Sequence, residues 1–230
     1  MLKPRALFLS LLLAACTTVA PPPTQPNDRE WNLLSADYSW LESMRKAQAV
    51  APAVASTAPS RKQQIESALE SHRKLKPTLD AFITKIDEYY NRTHDPRAAQ
   101  VIAREKIIVG DEYITLLSRY DSALEQYRAA LAVDPNNPDA QKRIELAQSR
   151  RFVSMNAFAG IKANMKEDEV RRSLGLPRED WIKQVVQNNR VYSVWIYPKE
   201  DGGAAAVYFD NGVVYHTNWN AAAPAAAQTK

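Results

Sequence analysis

The sequence predicts an α+β protein: a helical region, then a small module of two helices and a three- or four-stranded antiparallel sheet. Two observations carry this prediction. Through residues 61–151, apolar side chains recur with the period of amphipathic helices. From Trp181 onward the pattern changes to short β-rich runs separated by Asn188-Asn189, Asp201-Gly202-Gly203 and Asp210-Asn211-Gly212, all tight-turn signals. A third observation sets the boundaries, because segments rich in proline and alanine at 17–30 and 49–60 isolate what lies between them.

The chain begins with Lys3 and Arg5 and an apolar run from Ala6 to Ala15, too short to span a bilayer and typical of a secretory signal. That run ends in Leu13-Ala14-Ala15-Cys16, which resembles the bacterial lipobox. The resemblance implies cleavage between Ala15 and Cys16, removal of residues 1–15, and a thioether lipid with further acyl chains on Cys16. Two or more chains anchor stably, whereas one binds only marginally. Thr17 in place of an aspartate resembles the enterobacterial pattern for the outer membrane. The expected location is therefore the periplasmic face of the outer membrane.

The mature chain would hold 215 residues with no cysteine besides the lipidated Cys16, so no disulfide can staple it. Removing Lys3 and Arg5 takes the net charge from +4 to +2. Residues 60–151 carry 16 basic and 14 acidic side chains, and residues 152–230 carry 9 and 8. The charge is interspersed, which argues against a nucleic-acid partner.

Residues 16–60 read as a tether with one short helix. Pro21-Pro22-Pro23 favours extended polyproline II. Trp31, Leu34, Tyr38, Leu41 and Met44 then recur at near-helical spacing. This helix either docks on the body or lies in the membrane interface. In residues 61–151, Ile65, Ala68, Leu69, His72 and Leu75 form one stripe that Pro77 is expected to stop. Leu79, Phe82, Ile83, Ile86 and Tyr90 form the next. Asp95-Pro96 and Asn137-Pro138 read as caps followed by proline at the first helical position.

Tyr120, Ala123, Tyr127, Ala130, Leu131 and Pro135 resemble the second helix of a tetratricopeptide repeat. Small residues let paired helices approach, and Tyr127 fills the groove beside them. The first helix fits less well, with Asp111 where the family has glycine, and only one repeat is present. A protein-binding repeat and a plain helical bundle both accommodate the pattern.

In residues 152–219, two short helices precede β-rich segments at Trp181–Gln187, Arg190–Pro198, Ala204–Phe209 and Val213–Trp219. The first is either a strand or an ordered loop. Strict alternation puts Val213, Tyr215, Thr217 and Trp219 on one face, with Val214, His216 and Asn218 opposite. Residues 220–230 read as a disordered Ala/Pro tail.

The run Ile161-Lys162-Ala163-Asn164-Met165, continuing through Glu169-Val170 to Leu174-Gly175-Leu176-Pro177, resembles the SmpA/OmlA (BamE-like) family. Trp195-Ile196-Tyr197 and Phe209-Asp210-Asn211-Gly212 extend the match over about 65 residues. The family's glycine before methionine is Asn164 here and its capping threonine is Lys166. Asparagine tolerates left-handed backbone, while losing the hydroxyl weakens the cap by roughly 1 kcal/mol. Gly175 and Pro177 are expected to end a helix and start a strand. Val170, Leu174 and Phe209 are core candidates, and Met165 and Trp195 are either core or exposed binding groups.

The resemblance implies a non-catalytic scaffold or adaptor lipoprotein in envelope assembly, with the β-barrel assembly machinery among its partners. The alternative is a binding inhibitor or sensor that targets an envelope enzyme or peptidoglycan. No catalytic constellation is apparent. His72, His94 and His216 lack metal-ligand spacing, and no nucleophile elbow or phosphate-binding glycine loop occurs. The expectation is no enzyme, no metal and no cofactor beyond the covalent lipid.

Overall fold

The computed structural model describes residues 28–49 and 61–224 of the 230-residue chain. The signal segment, Cys16 and most of both Pro/Ala-rich segments lie outside the described residues. Five helices come first: α1 (Asp28–Ala49), α2 (Arg61–Thr93), α3 (Pro96–Leu117), α4 (Tyr120–Val133) and α5 (Pro138–Arg150). Two short helices follow, α6 (Met155–Ala159) and α7 (Glu167–Leu174). Four strands then form one antiparallel sheet in sequence order: β1 (Ile182–Gln187), β2 (Arg190–Pro198), β3 (Ala204–Asp210) and β4 (Val213–Ala221). The fold is α+β with the sheet at the carboxy-terminal end.

Helix α1 starts inside the expected tether and spans 22 residues, so it is longer than the short helix read from the sequence. It docks on the body. Leu34, Tyr38 and Leu41 are buried against Phe82, Ile86, Tyr89, Ala98 and Ile102. The Tyr38 and Phe82 rings stack with centroids 5.4 Å apart. Pro77 does not stop its helix, because α2 runs through it without a break. The position is exposed, so water can satisfy the carbonyl that proline leaves without a donor. Leu79, Phe82, Ile83 and Ile86 do face the core, but Tyr89 is fully buried where the spacing favours Tyr90, which is only partly covered. Leu69, from the first stripe, is exposed.

The two predicted caps form. Asp95 Oδ1 accepts from the Arg97 backbone N–H at 2.9 Å, and Asn137 Oδ1 accepts from that of Ala140 at 3.0 Å. Helices α3 and α4 join through Ser118, which adopts left-handed backbone with φ +53°. The hairpin packs around Ala103, Ile107, Ala123, Leu124, Tyr127 and Ala130. The close approach is made by Gly110: a Cβ there would lie 2.3 Å from Tyr127 Cε1. The small residue therefore precedes Asp111 by one position. Asp111 itself accepts the Tyr127 hydroxyl at 2.8 Å and pairs with Arg143 of α5 at 2.7 Å.

In the carboxy-terminal module, helices α6 and α7 cover one sheet face. Phe158, Ile161 and Val170 pack with Trp195, Tyr197, Ala205, Val207, Phe209 and Val214 in a continuous core. Asn188 and Asn189 both have positive φ, as do Asn211 and Gly212. These are the two-residue turns whose twist matches antiparallel strands. Ile182–Gln187 is a strand paired along its full length with β2. Trp181 belongs instead to a 3-10 turn, Glu179–Trp181, so Gly175 and Pro177 lead into that turn rather than directly into a strand. The sheet also continues past Trp219: Ala221 pairs with Ala204, and Ala221 and Ala223 pack against the cluster around Trp181. The start of the expected tail is thus ordered by burial of its alanines.

The register of β4 against β3 shifts twice, once between Ala204 and Ala206 and once between Tyr208 and Phe209, and the second shift breaks the predicted alternation. Tyr208 pairs with His216 but Phe209 pairs with Val214, so Tyr215 is an extra residue in the strand. This bulge places Val214 in the helix-covered core and turns Tyr215 to the same face as His216. A uniform period of two cannot anticipate an inserted residue.

Candidate protein-interaction surface

The family-motif residues converge on structure rather than on a reactive site. Ile161, Val170, Trp195, Tyr197 and Phe209 are buried in one core, and Met165 and Leu174 pack partly against it. Trp195 is 6% exposed and its ring lies 4.8 Å from that of Phe209, which makes it a core residue. Met165 is half-buried, and its sulfur accepts from the Lys162 backbone N–H at 3.1 Å. Asn164 takes left-handed backbone with φ +71°. That turn brings the start of α7 against the start of β4: Asn164 N–H donates to Val214 O and Val214 N–H to Met165 O, each at 2.8 Å. The Glu167 N–H reaches Gly212 O at 3.1 Å. Glu169 Oε2 accepts from the Lys166 N–H at 2.7 Å, which is the N3 half of a capping box and sets a carboxylate at the helix N-terminus. Gly175 closes α7 with φ +78°, and its carbonyl accepts the Tyr197 hydroxyl at 3.2 Å.

Of the repeat-motif residues, Ala123, Tyr127 and Ala130 are buried in the α3–α4–α5 core and Leu131 packs at its edge. Pro135 lies in the exposed α4–α5 turn. Tyr120 has a second role. Together with Leu174, Pro177, Trp181 and Tyr197 it lines a cleft of about 350 Å³ between the helical region and the sheet module. Residues from both motifs thus meet at the junction. Arg151 borders the junction, 2.7 Å from Asp121 of α4 and with its guanidinium over the Phe152 ring. The buried Trp181 Nε1 beside this cleft has no hydrogen-bond partner among the described residues.

The surface that stands apart is the sheet face away from α6 and α7. Register places Val185 of β1 opposite Tyr192, and Val194 opposite Tyr208. With the bulge, Tyr215 and His216 join them. Tyr215 lies 6.5 Å from Tyr192 and 6.2 Å from Tyr208 between ring centroids, and His216 lies 5.2 Å from Tyr208. Val185 is 61% exposed and Tyr215 55%. An aromatic and aliphatic strip therefore crosses all four strands. The Trp181–Ile196–Ala206 cluster closes the other part of the same face. At one end of the strip, β1 is an edge strand with Val186 also exposed. Among the described residues its outer row of N–H and C=O groups has no neighbouring strand, which is the arrangement that accepts an added strand. Lys183 is the single charged side chain within β1.

The rings of this strip are tilted or edge-on to one another, at 86°, 58° and 43°. They form an irregular apolar relief rather than a flat stacking platform. Such relief suits protein side chains better than a row of sugar rings or bases, which stack on exposed ring faces. This surface is hidden in the sequence because Tyr192 and Tyr208 read as ordinary strand residues, and the bulge sets Tyr215 and His216 together on the face of Tyr208.

The helical region carries ionic ties that the sequence also concealed. Glu105 of α3 is buried and accepts from the Tyr38 hydroxyl at 2.9 Å and from Arg45 at 2.7 Å. Burial first, and then the Glu105 carboxylate, push the Tyr38 hydroxyl well above its ordinary pKa. Asp95 accepts from Tyr89 at 2.6 Å and pairs with Arg97, which also bonds Asp28 at 3.0 Å and lies over the Trp31 ring. The Arg97 guanidinium is the main cause that lowers Asp95 to about 2.

Among the described residues, no group of three or more His, Cys, Asp or Glu side chains is placed to hold a metal ion. No helix among them is long and apolar enough to cross a membrane. No protein-family model, curated protein or solved structure matches the chain.

Proposed function

We propose that this chain is an outer-membrane-anchored periplasmic lipoprotein that acts as a non-catalytic scaffold or adaptor in envelope assembly. The anchor is the lipid on Cys16. The sheet module is of the SmpA/OmlA type, and the α3–α4 hairpin is a single tetratricopeptide-like unit that braces it. The observation that supports the binding role is the strip in which exposed Val185 and Tyr215 flank half-buried Tyr192 and Tyr208, beside the β1 edge. Contiguous exposed apolar surface is uncommon on a protein without a partner. A partner that adds an extended segment to β1 would satisfy its backbone groups and lay side chains across the tyrosines.

The test is capture of the intact lipoprotein from gently solubilised, crosslinked envelopes, followed by mass spectrometry of what accompanies it. The expected result is recovery of barrel-assembly or related envelope proteins, reduced at least tenfold by the pair Val185→Lys and Tyr215→Ser. Recovery of one soluble enzyme or of peptidoglycan would instead favour an inhibitor or sensor. Recovery unaffected by the pair would remove the strip from the account.

A further inference from the structure

We infer that the outward face of α1 rests on the membrane surface, so that the protein lies against the lipid instead of swinging free on its tether. This inference rests on the proposed lipid anchor at Cys16.

Helix α1 carries two apolar stripes. One, with Leu34, Tyr38 and Leu41, is spent in the core. The other runs through Leu33, Ala36, Trp40, Met44 and Ala47, at steps of three and four residues, on a separate face roughly a third of a turn round the helix from the first. Leu33 is 67% exposed and Trp40 51%. A surface helix of a globular protein normally turns charged residues outward, so a second apolar stripe calls for a second environment. Leucine and methionine around a tryptophan are the composition of interfacial helices, because the indole sits at headgroup level. The alanines keep the strip shallow. It is too thin for the core of a helix pair, yet long enough, about 20 Å from Leu33 to Ala47 at the helical rise, to lie along a surface.

Charge points the same way. All four acidic side chains of α1 are matched by cations of the neighbouring helices: Asp28 by Arg97 at 3.0 Å, Glu30 by Arg92 at 2.6 Å, Asp37 by Lys85 at 3.4 Å and Glu42 by Arg104 at 2.7 Å. No uncompensated negative charge on α1 faces an anionic headgroup layer. Arg29 and Lys46 stand exposed near the two ends of the helix, where each can meet a lipid phosphate. Position agrees as well. Asp28 follows Cys16 by 12 residues, so α1 cannot begin more than about 40 Å from the acylated residue even if the chain between is fully extended. Of all the described helices, α1 is nearest the anchor in sequence.

The experiment uses the full chain in vesicles of phosphatidylethanolamine with phosphatidylglycerol. Mass spectrometry first establishes whether Cys16 is acylated. Leu33→Cys, Trp40→Cys and, as a control on α5, Leu146→Cys are each labelled with an environment-sensitive fluorophore. The label is then challenged with phospholipid carrying a nitroxide near its headgroup. The expected result is strong quenching at 33 and 40 and little at 146. With Cys16 acylated, equal weak quenching at all three sites would overturn the contact while leaving the anchor intact. Labels at 33 and 40 that are shielded from water yet unquenched would overturn it in favour of a protein covering, either a second copy or a partner. If Cys16 carries no lipid, the anchor reading fails by itself, and the contact is judged by flotation of the unacylated chain with the same vesicles. The pair Leu33→Ser and Trp40→Ser is expected to reduce flotation about tenfold, the scale set by two lost interfacial side chains; unchanged flotation would overturn it.

Discussion

In residues 28–150 the helices are joined by buried or half-buried carboxylates paired with cations, whereas residues 152–223 are held mainly by apolar packing, with polar ties such as Ser193 to Glu167 and buried Lys199 to Asn220 beside it. Glu105 holds Tyr38 and Arg45, Asp95 holds Tyr89 and Arg97, and Asp111 holds Tyr127 and Arg143. Each set links side chains on different helices, and Glu105 reaches back more than 60 residues to α1. The sheet module instead packs Trp195 against Phe209 and Phe158 against Trp219, each pair tilted. The difference follows from geometry. Strands locked by backbone ladders and two-residue turns need only a filled face, because register is already fixed. Helices have no backbone ladder between them, even where only two residues join them as in α2–α3 and α3–α4, and a charged pair that must meet its partner specifies one arrangement.

That contrast can be broken from either side. The largest effect is expected for Phe209→Ala, which empties the centre of the apolar core at a cost of about 3–5 kcal/mol. Denaturant unfolding followed by near-ultraviolet circular dichroism should show the sheet module melting while the helical signal persists. A single cooperative loss of both would mean that the junction couples the two regions more tightly than their separate cores imply. Next comes Arg45→Ala, which leaves Glu105 buried without its cation and should cost about 3 kcal/mol. The combined change of Arg45 and Glu105 to Met and Leu should recover most of that loss. If the double variant is as unstable as the single one, the pair does more than compensate its own burial.

Gly110→Ala should cost about 1–3 kcal/mol, since the new Cβ meets the Tyr127 ring. Thermal melting of this variant sharpens the comparison, for the helical region depends on close approach at one glycine whereas the sheet module has no such contact in its core. The smallest effect concerns acid. The folded pKa of Asp95 is depressed to about 2, below its unfolded value near 4. Its contribution is therefore complete above the unfolded value and is lost as pH falls from about 4 to 2. The acid limb of a stability profile should be shallower in Asp95→Asn over that window. An unchanged slope would show that Arg97 does not hold the carboxylate ionised in the folded protein.

How much of this was legible in the sequence depends on the type of signal. Apolar periodicity located the helices and most of the core, and the Asn188-Asn189 and Asp210-Asn211-Gly212 turns located the hairpins. Both are local signals whose cause and effect lie within a few residues. Pro77 misled because a helix-breaking residue was read without knowing that its carbonyl partner faces water. Tyr215 misled because a bulge is set by pairing with β3 and not by β4 alone. The carboxylate ties were invisible for a related reason. Glu105 looks like any charged helical residue until α1 folds across it, and only the partner 60 residues away explains its burial. The candidate surface shares that origin, being assembled from four strands of which none shows an unusual pattern by itself.

The central claim is that the helix-free sheet face, with its β1 edge, binds another protein. The most direct measurement is site-specific photocrosslinking in living cells, with a photoreactive phenylalanine analogue placed at Val185 or Tyr215 and, for comparison, at Leu146 on α5. The account predicts a discrete protein adduct at 185 and 215 and none at 146. Adducts confined to the helical region, with the sheet face silent, would contradict it and move the binding function to the helices.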